Sequence, residues 1–466
     1  MSQSPYPPAG QSQPSDQGQF MPNGRPRPGA DAGGGLPQPR YVDYGNPRAY
    51  DTSVRPASGL TAARFAPAQI QRPTTAQPES AWSTQTRRVQ EVAQHSKQVP
   101  VVSIAVWITA FLLGIGLLVV LGWFFLQFVI FSSANPVWWP INAFLAFTSL
   151  VVIILVMVLA DRWDPQPIPL LIVAVLWGAA FAAGVSYVVN TLNTLLVYTV
   201  TGDGAIANWV GAVISAPTVE EITKGLGLIV LMLLARRYFN GPLDGVIYGA
   251  LIGGGFAFTE NILYYSRQVE DFGAGGVVLL FVIRGVLNIF GHAIYTALTG
   301  VVMGFVARKW GTISGGLVFI VAVIPGMLLH AIWNFFAGFP SGWVMITMLV
   351  CQFLLSVVWL ISIAVLVWDE SRLTRVRLGD YANQGWLTHE EVDMLATWKG
   401  RREGKQWAHA LGAKPQMKKF IKEAADLASV RQRLLADGAN PKVVAMESDL
   451  LQRLSANRQA MLQHTS

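Results

Sequence analysis

The sequence predicts an all-α polytopic membrane protein of about eight transmembrane helices, with a disordered N-terminal tail and a small helical C-terminal cytoplasmic region. Three observations carry that reading. Charged residues make up 13% of the chain and hydrophobic residues 52%, whereas soluble domains carry about 25% charged residues. The deficit falls between Val101 and Trp368, where apolar runs repeatedly reach the roughly 20 residues that cross a bilayer. Lys and Arg recur in every second connection between those runs, the asymmetry that orients membrane proteins.

Residues 1–99 are rich in Pro, Gly, Gln, Ser and Ala. Such a segment cannot bury enough apolar surface to fold, so a disordered cytoplasmic tail is expected. It shows no apolar h-region near its start, and the first apolar run is therefore expected to act as a retained signal anchor. The runs themselves cover 102–129, 141–160, 168–199, 207–235, 245–266, 276–307, 316–338 and 343–368. The third and sixth exceed one crossing and must tilt, bend or extend past the lipid.

Arg87, Arg88 and Lys97 precede the first run; Arg162, Arg236 with Arg237, Arg308 with Lys309, and Arg372, Arg375 and Arg377 follow the second, fourth, sixth and eighth. The alternate connections at 132–140, 201–205 and 338–342 carry no Lys or Arg, and Arg267 is the exception. A multi-pass protein of the cell membrane with both termini cytoplasmic is the expectation. Residues 369–466 read as a polar helical tail, with Thr388 and Glu391 spaced as a capping box. His389 and Glu390 fall in that helix start, outside any H-E-x-x-H motif.

The net charge of +7 sits mainly in tails and short loops. No basic stripe with interleaved aromatics is evident, so the expected partners are the lipid bilayer and a protein substrate, not nucleic acid. The single cysteine, Cys351, excludes an internal disulfide and Cys-rich metal sites. Any metal must be held by His, Glu, Asp or Asn.

An ionisable group inside a span costs about 2.5–3.5 kcal/mol on insertion scales, yet four consecutive spans carry them. The fourth holds Glu220, Glu221 and Lys224. Glu220 and Lys224 are four residues apart and share a face, so Lys224 is expected to neutralise Glu220 and leave Glu221 available. A structural ion pair accounts for one glutamate and not readily for both. The fifth holds Glu260 and Asn261 after a Gly245, Gly249, Gly253 ridge suited to tight helix packing. Glu260 has no cation within one turn, so its partner must come from another span or a metal. The sixth is expected to align Arg284, Asn288, His292 and Thr296 on one stripe, and the seventh pairs His330 with Asn334 at i,i+4.

This set contains what peptide hydrolysis requires. A carboxylate takes a proton from water, a His or a metal holds that water, and Asn, Thr or Lys stabilises the oxyanion. The catalytic candidates are Glu220, Glu221, Glu260, His292 and His330, with Lys224, Asn261 and Asn334 in support. Glu260, His292 and His330 are the candidate ligands of a divalent metal, with zinc favoured by imidazole. Spacing leaves metal-activated and glutamate-activated water both open. Two other classes use the same residues: an ion-coupled transporter with a proton relay, and a non-catalytic scaffold whose polar cluster locks helices together. Transporters often show repeated groups of spans, and none is evident here.

The motifs E-E-x-x-K at Glu220–Lys224, F-x-x-x-E at Phe256–Glu260 followed by Asn261, the lone His292, and H-x-x-x-N at His330–Asn334 together resemble the PrsW family of intramembrane proteases. That family lies within the wider group of CAAX prenyl endopeptidases and bacteriocin-processing proteins. The wider group usually has E-E-x-x-x-R first and a His in the second motif; Lys224 one position earlier and Glu260 in place of that His point to the PrsW branch. The resemblance covers roughly residues 205–340. It implies a membrane-embedded, metal-dependent endopeptidase and, in the namesake, cleavage of a membrane-bound anti-sigma factor.

Overall fold

The computed structural model describes Gly122 and residues 137–463, except Pro340 and Ala439. The tail expected at 1–99 and, apart from Gly122, the first span at 102–129 lie outside the described residues. Helices and their connections account for all of the described chain, with no strand among the described residues.

Helix α1 is Trp138–Ala160. Asp161, Asp164 and two prolines end it, and α2 follows over Ile168–Thr201, widened to a π-helix at Trp177–Ala182. Gly202 turns the chain with a φ of 67°, in the left-handed region that glycine tolerates. The Asp203 carboxylate then accepts the Ala205 and Ile206 N–H groups and starts α3. That helix comprises Gly204–Val210, a π-turn at Gly211–Ser215 and Ala216–Leu234. Asp244 caps α4 (Pro242–Leu280) by accepting the Asn240 and Gly241 N–H groups at 2.8 and 3.0 Å. A π-stretch at Phe281–Leu287 leads to α5 (Gly291–Trp310). Helix α6 (Phe319–Ala337) breaks at Val323 ahead of Pro325, and α7 runs through Gly342–Ala382.

Five helical stretches are long and apolar enough to cross a membrane: α1, α2, the Pro242–Trp310 stretch, which kinks at Gly273 and breaks at Asn288, α6 and α7. Their outward faces carry exposed apolar side chains such as Phe144, Leu155, Leu192, Phe353 and Leu354. Ala216–Leu234 has 19 residues but carries three charged groups, Glu220, Glu221 and Lys224.

Close packing of α4 on α5 positions the polar interior. A Cβ at Gly245 would lie 2.0 Å from the Gly300 carbonyl oxygen, and one at Gly253 would lie 2.2 Å from that of His292. Only hydrogen at those positions lets the backbones approach so closely. Leu251, Ile252, Ile294 and Met303 fill the core around this contact.

The stripe expected from Arg284 to Thr296 does not form as one helical face. Arg284 lies in the π-stretch, Asn288 (φ −109°, ψ 28°) ends it, and His292 opens a new helix. The four-residue arithmetic holds only for uninterrupted α-helix.

Helix α7 passes residue 368 without a break and leads to α8 (His389–Leu395), α9 (Trp398–Ala410), α10 (Lys414–Asp437) and α11 (Pro441–Gln463). These surround a second core containing Tyr381, Leu395, Met417, Phe420 and Leu454. Thr388 and Glu391 form the reciprocal capping box at α8. The group docks on the connections between the apolar helices: Trp163 Nε1 donates to Thr374 Oγ1 (2.9 Å), Ser429 Oγ to Asp164 Oδ2 (3.0 Å) and Gln432 Nε2 to the Arg308 carbonyl (3.0 Å).

Candidate active site

The expected polar residues of α3, α4, α5 and α6 converge, with the exception of Asn334. Lys224 is the hub and is fully buried, as is Glu221. Its Nζ lies 2.9 Å from Glu221 Oε1, 2.9 Å from His292 Nδ1 and 3.5 Å from Glu220 Oε2, and 3.7 Å over the Phe256 ring. The pairing thus differs from the expected one. Lys224 bonds Glu221, and Glu220 is left at the longer distance. The cause is tertiary: His292 on α5 claims a second ammonium proton and draws Nζ toward the face that carries Glu221.

Glu221 is saturated. Its Oε1 also meets His330 Nδ1 at 3.1 Å, and its Oε2 accepts from Thr296 Oγ1 at 3.1 Å. Glu220 is the opposite case. Its Oε1 accepts from Asn190 Nδ2 at 3.3 Å, while its buried Oε2 has no hydrogen-bond partner and lies 3.9 Å from His330 Nε2. Glu260 does find its partners on another segment, where Arg284 Nη2 donates to Oε2 and His292 Nε2 lies 2.8 Å from the same atom. Arg284 Nε donates to Asn261 Oδ1 at 2.9 Å, and the guanidinium lies over the Tyr264 ring at 4.1 Å.

Donor and acceptor rules fix both imidazoles. An ammonium has only protons to give, so His292 Nδ1 accepts from Lys224 and its Nε2–H donates to Glu260. The Glu221 carboxylate only accepts, so His330 carries its proton on Nδ1 and presents the Nε2 lone pair toward Glu220. The His330 ring stacks on Tyr295 at 5.2 Å and meets His292 edge-on at 5.0 Å.

Glu220, His292 and His330 each offer a ligand atom within 4.8 Å of the others, a spacing that could hold a metal ion. Glu220 Oε2, which makes no hydrogen bond, and His330 Nε2, 3.9 Å from it, fit a metal ligand pair beside Lys224; His292 would have to release Lys224 or Glu260 to complete the set. The Glu260, His292, His330 set expected from the sequence differs in one member: Glu260 holds His292 from the other side, with Arg284.

Glu220 and Glu260 line an open cavity of about 580 Å³ between α2, α3 and α4. Asn190, Thr194, Tyr198, Gly204 and Asn208 extend that cavity toward the α2–α3 connection. Asn334 lies apart and donates to the Ala212 carbonyl at 2.9 Å, tying α6 to the π-turn of α3. Sequence reasoning passed over Asn190 and Tyr295. Asn190 had a signal, since Ser186, Asn190 and Asn193 recur at helical spacing within an otherwise apolar run.

Comparison with known proteins places this constellation in a family context. Residues 166–366 match the family model of the PrsW family intramembrane metalloprotease. Protease PrsW of Bacillus subtilis is 28% identical over 197 residues, covering 40% of this chain and 78% of that protein. Protease PrsW of Clostridioides difficile is 25% identical over 196 residues, covering 41% of this chain and 76% of that protein. No solved structure matches.

Proposed function

Because residues 166–366 form a PrsW-family intramembrane protease domain, we propose that this endopeptidase hydrolyses a membrane-anchored protein, an anti-sigma factor or similar regulator, with Glu220 as the group that activates water. The observation that carries the assignment is Glu220: it lines an open cavity, and its buried Oε2 makes no hydrogen bond, 3.5 Å from the Lys224 ammonium and 3.9 Å from His330 Nε2.

Water held between these two acceptors gives a proton to Glu220 as its oxygen bonds the scissile carbonyl carbon. Lys224 supplies positive charge beside the oxyanion that forms, fixed in place by Glu221 and His292. When the tetrahedral adduct collapses, the carbon–nitrogen bond breaks and the Glu220 proton passes to the leaving amine. Glu221 sets the His330 tautomer, and Glu260 with Arg284 sets that of His292. Glu220, His292 and His330 are the residues that would hold a divalent ion, zinc by donor type, and such an ion supplies Lewis-acid polarisation of water and carbonyl.

In the eight-span topology, with both termini cytoplasmic, the α2–α3 connection is external. The cavity then opens toward the outer half of the bilayer, and substrates are cut near their outer membrane boundary. The test is substrate trapping. Membrane proteins that accumulate uncut with Glu220→Gln are purified and offered to wild-type and variant enzyme in detergent. Cleavage by wild type alone supports the reading; equal cleavage by the variant removes Glu220 from the chemistry.

A further inference from the structure

The chain carries another cavity, sharing no residue with the one lined by Glu220 and Glu260, on the surface of the C-terminal helices. It measures about 420 Å³ and is lined by Trp398, Arg401, Arg402, Lys405, His409 and Lys414. No carboxylate is among its lining residues. Among the described residues, none of the four Lys and Arg side chains takes part in an ion pair. Lys399, on another face of α9, is the one that pairs with Glu403, at 3.8 Å.

Arg401 is the anchor. It is 4% exposed, yet it is neutralised by no carboxylate in contact. Its Nε donates to the Leu395 carbonyl and its Nη1 to that of Trp163, both at 2.7 Å, while its buried Nη2 has no hydrogen-bond partner. Asp164 acts on this guanidinium electrostatically without pairing with it; a buried guanidinium hydrogen-bonded only to carbonyls still carries its charge in a poorly solvated place, which favours an anion in contact. Burial, with the neighbouring charges of Arg401 and Lys418, lowers the pKa of Lys405 below the usual lysine range, as expected where positive charge is crowded and uncompensated.

The cavity also adjoins the end of α1, a helix long and apolar enough to cross a membrane. Trp163 follows the last residue of α1 by three positions, and the Arg401 guanidinium stacks 3.6 Å over its ring. Trp398 meets Trp163 edge-on at 5.0 Å and remains 46% exposed. Trp163 is buried, and the exposed Trp398 is the ring that can meet the headgroup region.

From these observations we propose that Arg401, Arg402, Lys405, His409 and Lys414 form a binding site for a phosphate anion at the membrane surface. Two sources share that chemistry: the phosphodiester of an anionic lipid headgroup and free inorganic phosphate. The site is independent of proteolysis and would fasten the C-terminal helices to the surface beside α1.

The test uses full-length protein in detergent, titrated with short-chain phosphatidylglycerol, short-chain phosphatidylcholine and inorganic phosphate, and read by tryptophan fluorescence and calorimetry. The comparison variant is Arg402→Gln/Lys405→Gln/Lys414→Gln, which leaves the buried Arg401 in place and is checked for an unchanged melting temperature. The wild type is expected to bind phosphatidylglycerol over phosphatidylcholine. Each neutralised charge should weaken binding about fivefold, or about a hundredfold for the three together. Phosphatidylglycerol binding without phosphate binding identifies a lipid site; equal binding of both identifies a free-phosphate site. Wild type that binds neither anion, or a triple variant that binds as wild type does, overturns the proposal.

Discussion

Glu220 and Glu221 are adjacent in sequence and opposite in environment, and substituting each in turn separates chemistry from scaffold. Glu221 Oε1 and Oε2 together hold Lys224, His330 and Thr296 at 2.9, 3.1 and 3.1 Å, with no solvent exposure. Glu221→Gln leaves the Lys224 ammonium short of its closest counter-charge in a buried site, a loss of about 3–5 kcal/mol. Converted by the usual proportionality for a domain of this size, that lowers the melting temperature by about 10 °C. Glu220→Gln removes only the longer, 3.5 Å ion pair to Lys224, whose ammonium keeps Glu221 at 2.9 Å, and the Gln oxygen can keep the Asn190 contact. Its stability cost should stay below about 1 kcal/mol, while the loss of a proton acceptor should lower kcat at least about 100-fold. Thermal unfolding of purified protein in detergent and cleavage of a trapped substrate measure the two effects. The double variant Glu221→Gln/Lys224→Met should recover most of the lost stability, because it removes the stranded charge together with its partner. A Glu220→Gln protein that cleaves at the wild-type rate, or one that melts as low as Glu221→Gln, would refute the division of roles.

Asn190→Ala removes a hydrogen bond that orients Glu220, and kcat should fall about tenfold with little change in melting temperature. Stripping the enzyme with a chelator should abolish cleavage and zinc should restore it, while His330→Ala protein should retain less metal by mass spectrometry; full activity after stripping would remove the metal from the reading. Asp161 and Asp164, beyond the end of α1, are each raised to about 7 by burial, with the Asp164 charge adding to the effect at Asp161 and the Asp426 charge at Asp164. A raised carboxyl pKa favours the folded state while the group is protonated. That stability is complete below about pH 4 and is gone above about pH 7, so the melting temperature should fall between about pH 4 and 7 and level off above, and Asp161→Asn should flatten the profile. A reporter fused after residue 466 should read cytoplasmic and one fused after residue 340 external; the reverse would overturn the topology and the outward-facing mouth.

The apolar runs expected from residue 141 onward fall on helical segments, but not all as separate crossings: the run at 207–235 carries Glu220, Glu221 and Lys224, and the runs at 245–266 and 276–307 lie in one stretch, Pro242–Trp310. The pairing within the site was less legible. Helix-face arithmetic sees α3 by itself and assigns Lys224 to Glu220; it cannot include His292, which approaches from α5 and draws the ammonium to Glu221. The Gly245, Gly249, Gly253 ridge was readable as a packing surface. Its register on α5 was not, and that register brings Arg284 and His292 to Glu260. The π-stretch at Phe281–Leu287 leaves no mark in hydrophobic periodicity, so the stripe through Asn288 looked continuous. The basic cavity is hidden for a similar reason: Lys414 joins Arg401, Lys405 and His409 only across the turn at Gly412.

The charges of the site explain why one carboxylate stands apart. Three carboxylates, Glu220, Glu221 and Glu260, face two permanent cations, Lys224 and Arg284, and both imidazoles serve as neutral hydrogen-bonding groups. Arg284 answers Glu260 and Lys224 answers Glu221 at the shorter distance, so one negative charge remains in excess, and it falls to Glu220, whose Oε2 makes no hydrogen bond. An isolated carboxylate in such a place is costly, and a proton or a cation relieves that cost. Both are what hydrolysis requires at this point: an atom that accepts the proton of water, or one that helps hold a metal beside it. Supplying a third cation to balance Glu220 would remove the cost and the reactivity together. Introducing Arg at Asn190 performs that experiment, and on this reasoning Asn190→Arg should raise the melting temperature or leave it unchanged while abolishing cleavage, whereas an active Asn190→Arg enzyme would show that the surplus charge has no part in catalysis.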